Sequence, residues 1–375
     1  MKHLLVVFGT RPEGIKMMPV VKAARRETSF KTTVAVTGQH RQMLDQVFTA
    51  FGEKPDIDLN LMAPSQTLAA ITANVVARMS EVLSDLKPDV MLVHGDTTTA
   101  MAAAIAGFYN RISIGHVEAG LRSNDLQRPW PEEFNRVAID AIAHYRFAPT
   151  QSARENLLGE YNRNSKILVT GNTGIDALLY VSRLIDSDAN LFQRISRRYD
   201  FLDPAHNLIL VTGHRRESFG DGFERICDGL LAVSQRPKVD VLYPLHLNPV
   251  VQSVVNHRLR GRSNIHLIDP VEYVDMVYLM KRAKVIVTDS GGIQEEGPAL
   301  GRPVLVMRDV TERPEALSTG VVQLIGTDPG RMLVEVSRLL DDETHYNASA
   351  RPVFPYGDGT AASQIIAFLK QELAA

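Results

Sequence analysis

The sequence predicts an α/β protein that contains two doubly wound parallel sheets in tandem. Short β-branched runs bounded by Gly, Pro or Asp alternate with helix-length amphipathic stretches, which is typical of parallel βαβ units. The alternation restarts in the second half of the 375 residues, and this length suits two domains. Hydrophobic residues make up 45% and charged residues 22%, which are the proportions of a globular chain rather than of a coiled coil or a disordered one.

The first domain is predicted over residues 1–170. Helix-length stretches separate its strands, as the crossovers between parallel strands require. In chain order the predicted strands are LLVVF at 4–8, TVAVT at 33–37, VMLVH at 90–94 and ISIGHV at 112–117.

The second domain is predicted over residues 171–357. The join lies between roughly residues 170 and 206, where a helical stretch is followed by a loop that contains Pro204. No low-complexity linker is present, so we expect the two domains to face each other across a cleft. A last amphipathic helix at about 358–375 is expected to pack back on the first domain. The predicted strands of the second domain are LILVT at 208–212, VDVLYP at 239–244, NIHLI at 264–268, KVIVT at 284–288 and PVLVM at 303–307.

Charge and cysteine content exclude several classes of protein. Lys and Arg total 41 against 43 Asp and Glu, so no global basic field favours nucleic acid or an anionic membrane. The single cysteine, Cys227, excludes an internal disulfide framework and a thiolate metal cluster, and it is predicted to be a buried small hydrophobe. No histidine spacing indicates a metal site.

No apolar run approaches the ~20 residues of a membrane helix, and we expect a soluble cytoplasmic protein.

The turn after the first strand is a candidate anion site. It reads FGTRPEGIK, with Arg11 in the turn and Lys16 near the start of a helix. Neither G-x-G-x-x-G nor G-x-x-x-x-G-K-[ST] occurs here, which argues against NAD binding and P-loop hydrolysis. The two cations could hold a phosphate at the helix N-terminus, and the alternative is an ordinary solvated turn.

Acidic residues follow two strands and begin one helix in the first domain. Asp96 and Glu118 come directly after neighbouring predicted strands, so both carboxylates can reach one crevice. Burial and mutual repulsion there can raise a carboxyl pKa, as acid/base chemistry requires. Glu132 and Glu133 occupy the first turn of a later helix. The alternatives are an N-cap role for Asp96 and a helix-start role for either glutamate.

The second domain carries a basic, glycine-rich pattern that indicates phosphate binding. A strand-to-helix turn contains the sequence SGG, in which missing Cβ atoms let backbone N–H groups approach an anion. The alternative is an ordinary turn capped by Ser290. Acids in one domain and an anion site in the other suit a nucleotide sugar. The residues of this pattern are His214, Arg215, Arg216, Ser290, Gly291, Gly292 and Arg313.

Ten ordered motifs between residue 4 and about residue 359 resemble those of the bacterial non-hydrolysing UDP-N-acetylglucosamine 2-epimerases. They include FGTRPEGIKMMP, TGQHRQMLDQVF, PDVMLVHGDTTTA, GHVEAGLRS, PWPEEFNR, TGNTGIDAL, VTGHRRESFG and TDSGGIQEEGPALGRPVLVMRDVTERPEA. The resemblance implies a glycosyltransferase B-type (GT-B) fold with two Rossmann-like domains and a homodimer without metal or redox cofactor. It also implies interconversion of UDP-N-acetylglucosamine and UDP-N-acetylmannosamine, by elimination of UDP to a 2-acetamidoglucal and re-addition, in the service of polysaccharide biosynthesis.

The resemblance also implies roles for individual residues. The acid/base positions fall on Asp96, Glu118 and Glu132, with His214 beside the leaving diphosphate. The UDP-binding positions fall on Arg11, Lys16, Ser290, Gly291, Gly292, Glu296 and Arg313. A second pocket, which binds an activating UDP-N-acetylglucosamine in many bacterial members, matches Gln39, Gln42, Arg215 and His246.

This chain departs from the family pattern at some of these places. Val271 and Met276 stand where many relatives have Gln and Phe near the uracil, so base recognition there is expected to use backbone groups. Ser65 stands where some relatives have an arginine of the activator pocket.

Three other functions remain as alternatives at this point. A hydrolysing 2-epimerase would release UDP and free N-acetylmannosamine, and product analysis separates the two. A retaining glycosyltransferase of the same fold would use an acceptor, but no acceptor-binding insertion is evident. A non-catalytic nucleotide-sugar sensor would keep the pocket without turnover, and the complete set of acids argues against it.

Overall fold

A computed structural model describes residues 1–38, 41–61, 66–160, 164–215 and 218–374. The chain forms two compact units. Unit 1 comprises Met1–Tyr180 and Tyr356–Ala375, and unit 2 comprises Val181–Pro355. Each unit is a parallel-sheet α/β domain, which confirms the predicted fold class. The division at 180/181 lies within a helix, ten residues beyond the boundary expected from the sequence.

Unit 1 contains a seven-stranded parallel sheet in the order β3-β2-β1-β4-β5-β6-β7. Helices cover both faces, so the central strands are apolar throughout; Leu4 to Phe8, for example, are completely buried. The strands are β1 Lys2–Phe8, β2 Phe30–Val36, β3 Ile57–Asp58, β4 Val90–His94, β5 Ser113–Val117, β6 Tyr145–Ala148 and β7 Lys166–Val169.

Helices α1 to α6 belong to unit 1, α7 crosses into unit 2, and α16 returns to unit 1. Their bounds are α1 Arg11–Arg26, α2 Arg41–Phe51, α3 Leu68–Leu86, α4 Thr98–Tyr109, α5 Glu132–Ile142, α6 Gln151–Leu158, α7 Thr173–Ser187 and α16 Ala361–Ala374.

Unit 2 contains a six-stranded parallel sheet in the order β10-β9-β8-β11-β12-β13. Its strands are β8 Asn207–Thr212, β9 Val239–Pro244, β10 Ile265–Ile268, β11 Val285–Thr288, β12 Val304–Val306 and β13 Val322–Leu324. Its helices are α8 Ala189–Arg198, α9 Asp221–Ser234, α10 Pro249–Leu259, α11 Tyr273–Arg282, α12 Gly291–Ala299, α13 Pro314–Leu317, α14 Pro329–Asp341 and α15 Glu343–Ser349.

The strand order of each sheet has one topological switch point, between β1 and β4 in unit 1 and between β8 and β11 in unit 2. In open α/β sheets, ligands bind beyond the carboxyl ends of the strands at such a point. The loops after β1, β4 and β5 carry the candidate residues of unit 1. The loops after β8, β11 and β12 carry those of unit 2.

The end of the chain packs on unit 1. Phe368 of α16 meets the rings of Tyr145 and Phe147 edge-on, with centroids 6.1 and 5.9 Å apart. Just before this helix, the Tyr356 carbonyl accepts a hydrogen bond of 2.6 Å from the Asn172 N–H. The returning segment therefore contacts both the sheet and the loop that leads into α7.

Two sequence-based expectations concern single features. Cys227 is completely buried in the core of unit 2, as predicted, and burial raises the pKa of its thiol to about 12. Among the residues that the structure describes, no helix is both long enough and apolar enough to cross a membrane.

Candidate active site

The turn between β1 and α1 is built around Glu13. Thr10 is the N-cap of α1 and forms a reciprocal capping box with Glu13. Oε2 of Glu13 accepts the N–H groups of Gly9 and Thr10, at 3.1 and 2.7 Å. Its Oε1 accepts the hydroxyl of Thr97, the N-cap of α4, at 2.7 Å. Glu13 thus joins the two loops at the switch point of unit 1.

Glu118 occupies a strained backbone position at the carboxyl end of β5. Its φ is +68°, a left-handed value that non-glycine residues rarely adopt. Such conformations cost of order 1–3 kcal/mol and cluster at functional sites. In this conformation the carboxylate lies beside Lys16 of α1 and His94 at the end of β4.

Polar groups from α1, from the end of β4 and from the residue before α7 surround Oε2 of Glu118. Lys16 Nζ pairs with it, Asn172 Nδ2 donates to it at 2.9 Å, and His94 Nε2 lies 3.7 Å away. Burial alone would raise the pKa of Glu118, but Lys16 and His94 outweigh it and hold that pKa well below its usual value. The Glu118 side chain is therefore an ionised carboxylate.

Asp96 lies after β4, and its pKa is shifted in the opposite direction from that of Glu118. Burial raises the pKa of this carboxyl group, Arg136 opposes the shift, and the negative charges of Glu118 and Glu132 add to it. Arg136 Nη2 is 3.0 Å from its Oδ2. Asp96 does not cap α4, because Thr97 is the N-cap and accepts from Ala100 N–H. The N-cap alternative for Asp96 is thereby removed.

The two adjacent glutamates at the start of α5 differ in environment. Glu133 is 1% exposed, and its Oε1 accepts the N–H groups of Ser123 and Asn124 at 2.9 and 3.0 Å. Glu132 is half-buried and close enough to Asp96 to act on its pKa. Glu133 thus anchors the preceding loop, while Glu132 belongs to the group of acids with Asp96 and Glu118.

In unit 2, the N-terminus of α12 lies between two arginines. A Cβ added to Gly291 would be 3.7 Å from Nη2 of both Arg215 and Arg313. Arg313 is also ion-paired with Glu295. Ser290 stands at the N-cap position, but its side chain makes no capping hydrogen bond. Two guanidinium groups next to a helix N-terminus are an arrangement suited to an anion, which stays a prediction for this site.

His214 follows β8 and contacts the carboxylate of Asp289, which is completely buried. His214 Nδ1 lies 3.4 Å from Asp289 Oδ1, while the backbone N–H groups of His214 and Arg215 donate to Oδ2 at 2.7 Å. The ring of His246 stacks on that of His214, 5.1 Å apart. Burial lowers the pKa of His214, Asp289 opposes this, and His246 and Arg215 lower it further. His214 is therefore a neutral imidazole at neutral pH.

The remaining sequence-predicted residues have the following positions. Arg11 is the first residue of α1. Glu296 of α12 accepts a hydrogen bond of 2.9 Å from the Tyr273 hydroxyl. Val271 precedes α11 and Met276 lies within it. Gln39, Ser65 and Arg216 lie outside the described residues, and so does the side chain of Gln42.

Two further features of the described residues concern metal ligands and a cavity. No set of three or more His, Cys, Asp or Glu side chains that could hold a metal ion is found among the described residues. A cavity of about 500 Å³ lies beside the loops after β8, β12 and β13. It is lined by Ser218, Phe219, Asp221, Gly222, Arg225, Met307, Arg308, Asp309, Val310 and Thr327.

Comparison with known proteins identifies the family. The family described as UDP-N-acetylglucosamine 2-epimerase matches residues 22–370. A UDP-N-acetylglucosamine 2-epimerase of Yersinia pestis is 54% identical over 368 residues, which are 98% of both chains. The chain belongs to the UDP-N-acetylglucosamine 2-epimerase family.

Solved structures of this family share the fold. The enzyme of Neisseria meningitidis, crystallised with UDP-GlcNAc, is 43% identical with a TM-score of 0.91, covering 98% of this chain and 100% of that one. The enzyme of Methanocaldococcus jannaschii, in complex with UDP-GlcNAc and UDP, is 31% identical with a TM-score of 0.81, covering 99% and 100%. The family resemblance inferred from the motifs is thus confirmed, together with a GT-B-like fold.

Several residues in contact with the acids were not found by sequence reasoning. His94 and Asn172 lie in quoted motifs, VHGD and TGNTG, but their contacts with Glu118 depend on the fold. Arg136 lies one helical turn after Glu132 and faces Asp96. A histidine directly before G-D, at the end of a predicted strand, was the available signal for His94.

Proposed function

We propose that the protein interconverts UDP-N-acetylglucosamine and UDP-N-acetylmannosamine without hydrolysis. The C2 proton and the C1–O bond are lost together, which gives UDP and 2-acetamidoglucal. UDP oxygen then adds back to C1 while a proton is delivered to the other face of C2. No cofactor is needed, because every step is a proton transfer or the movement of the diphosphate.

The opposite pKa shifts of Glu118 and Asp96 carry this proposal. Environments that drive the pKa values of two neighbouring carboxyl groups apart are typical of a general acid and a general base. Glu118, held ionised, takes the C2 proton, and Asp96, whose pKa is raised, delivers one. Glu132 adds negative charge near Asp96 and is the third acid/base residue, together with Glu118 and Asp96.

The anion site at α12 supports the other half of the reaction. Arg215, Arg313 and the helix-terminal amides are suited to the charge that grows on the diphosphate as the C1–O bond breaks. Neutral His214 is suited to donate a hydrogen bond to the leaving oxygen. Lys16, paired with Glu118, and Arg11 bring further positive charge on unit 1.

A proton NMR time course in heavy water tests the proposal. Elimination and re-addition should place deuterium at C2 of the product, while UDP and the glycal stay below stoichiometric amounts. Full retention of the original C2 hydrogen would contradict the route. Release of UDP with free N-acetylmannosamine would identify the hydrolysing reaction instead, and no turnover would favour the sensor.

The acid/base assignment is tested by replacing each acid with its amide. Asp96→Asn, Glu118→Gln and Glu132→Gln should each lower kcat by roughly 10²–10⁴, the usual contribution of general acid/base catalysis. Glu155→Gln, at an exposed glutamate of α6, is the control and should be unchanged. Near-normal turnover of one variant would remove that residue from the catalytic set.

We also propose that the protein is a cytoplasmic homodimer that supplies a polysaccharide precursor. Phe108 and Tyr109, 55% and 72% exposed at the end of α4, offer apolar surface for a partner subunit. Sedimentation velocity of the purified protein tests the dimer, and a monomer at micromolar concentration would contradict it.

A further inference from the structure

His116 lies at the centre of a buried hydrogen-bond network in unit 1. This residue of β5 is 0% exposed. Its Nδ1 is 2.6 Å from Oδ1 of Asp140, and its Nε2 is 2.8 Å from the carbonyl oxygen of Gly95. Asp140 on α5 is also 0% exposed. Both ring nitrogens therefore have short contacts to oxygen atoms.

Both of these oxygen atoms are acceptors. A backbone carbonyl has no proton to donate. The other oxygen of Asp140 accepts the Gly120 N–H at 3.1 Å and Arg122 Nη2 at 2.6 Å, and the charge of this guanidinium group favours the ionised carboxylate. Burial would raise the pKa of Asp140, but His116 and Arg122 hold it below its usual value. A neutral imidazole has only one N–H, so one of its two contacts would bring two lone pairs together.

We infer that His116 is a doubly protonated imidazolium and a positioning residue that fixes the three acids relative to one another. The Gly95 carbonyl directly precedes Asp96 in the chain, and Gly95 has a φ of +64°. Glu118 follows His116 by two residues. The partner carboxylate of Asp140 lies on α5, the helix that begins at Glu132. One side chain therefore connects the three elements that carry the acids.

The imidazolium belongs to a chain of charged partners that alternate in sign. Asp140 pairs with Arg122, whose Nε donates to Glu160 at 2.7 Å. Arg146 of β6, completely buried, lies 3.6 Å from the other oxygen of Glu160. A buried charge is tolerated only when it is paired and hydrogen-bonded in this way. A hydrogen bond from a charged ring to the Gly95 carbonyl is stronger than one from a neutral ring, so it holds the residue before Asp96 more firmly to β5.

The kinetic test rests on the proposed function. In His116→Gln, an amide replaces two opposed N–H donors by one nitrogen and one acceptor oxygen, so one of the two bonds is lost. A small displacement of catalytic groups can cost about 10²-fold in rate, so kcat should fall by roughly that factor. KM and UDP affinity should change less than about threefold, because the anion site belongs to unit 2.

His3→Gln is the matched control. His3 lies at the other end of the same sheet, where its Nε2 is 2.8 Å from the Thr33 hydroxyl, so the same chemical change should leave kcat unaltered. A His116→Gln enzyme with kcat within twofold of wild type overturns the inference. A loss in KM and UDP affinity with unchanged kcat overturns it as well.

The protonation state is tested on the wild-type protein, without turnover. Selective ¹⁵N labelling of histidine should show both ring nitrogens of His116 protonated at neutral pH, with Asp140→Asn used to assign the signals. One unprotonated ring nitrogen overturns the inference even if His116→Gln does not fold. Absence of epimerisation by wild type would refute the proposed function, and this spectrum would still decide the state of His116.

Discussion

Arg215 and Arg313 belong to one basic pattern in the sequence, but the family resemblance implies different ligands for them. It implies UDP binding for Arg313 and a separate activator pocket for Arg215. In the structure both guanidinium groups are equally close to Gly291, at the N-terminus of α12. Arg313 is ion-paired with Glu295, and Arg215 brings a second positive charge to the same turn. We therefore expect both residues to bind the same anion.

Replacing either arginine should weaken UDP binding directly. Arg313→Gln and Arg215→Gln each remove a charge-assisted contact of about 1.5–3 kcal/mol, so UDP affinity should fall about 10- to 100-fold. Isothermal titration calorimetry measures it, with Arg331→Gln, at an exposed residue of α14, as control. If Arg215→Gln binds UDP like wild type, that arginine belongs to a different site.

At the scale of elements, hydrophobic pattern predicted most of the sheets. Runs such as VMLVH and VDVLYP are continuous and β-branched, so they identify buried parallel strands. Strand β6, YRFA, was missed because an arginine interrupts a run of four residues. Arg146 is buried there with the acidic side chains of Asp140 and Glu160 near it, and that arrangement depends on the fold. Asp96 and Glu118 could be predicted from the strand ends, because those positions depend on the local sequence. The contacts of His116 could not be predicted, because they depend on how distant segments pack.

A side chain of α7 accepts a hydrogen bond from the first turn of α16. Oδ1 of Asp176, on α7, accepts the N–H of Ala362 at the start of α16, at 2.9 Å. Burial nevertheless raises the pKa of Asp176 from 3.8 to about 6. The folded state thus binds this proton more tightly than the unfolded chain. Its contribution to stability is fully present below about pH 4 and is lost as the pH rises through 6.

Asp176→Asn should therefore gain stability relative to wild type as the pH rises. The amide oxygen still accepts from Ala362, and no charge is buried at neutral pH. Two pKa units at 1.36 kcal/mol each suggest a relative gain on the order of 2–3 kcal/mol between pH 4.5 and pH 7.5. Urea unfolding of both proteins at the two pH values measures it. A difference that does not vary with pH would contradict the expectation.

At the scale of the whole molecule, each of the two compact units buries apolar residues of its own. Leu369 of α16 is completely buried in unit 1, and Leu339 of α14 belongs to a hydrophobic cluster of unit 2. Local loss of packing should therefore loosen one unit before the other.

Hydrogen exchange should distinguish Leu369→Ala from Leu339→Ala. Each substitution leaves a cavity and costs about 2–5 kcal/mol. Amide exchange measured by mass spectrometry should speed up in the peptides of unit 1 for Leu369→Ala, and in those of unit 2 for Leu339→Ala. Each variant is the control for the other. Equal acceleration in both units by either variant would mean that the molecule unfolds as a single cooperative body.

The return of residues 356–374 to unit 1 has a consequence for synthesis on the ribosome. Unit 2 is one continuous stretch of chain, whereas unit 1 lacks α16 until its end has been translated. The Asn172 N–H meets its acceptor, the Tyr356 carbonyl, only at that late stage, and Asn172 in turn donates to Glu118. The domain whose synthesis begins first is therefore completed only after unit 2 has been translated, and the surroundings of Glu118 are assembled at that stage.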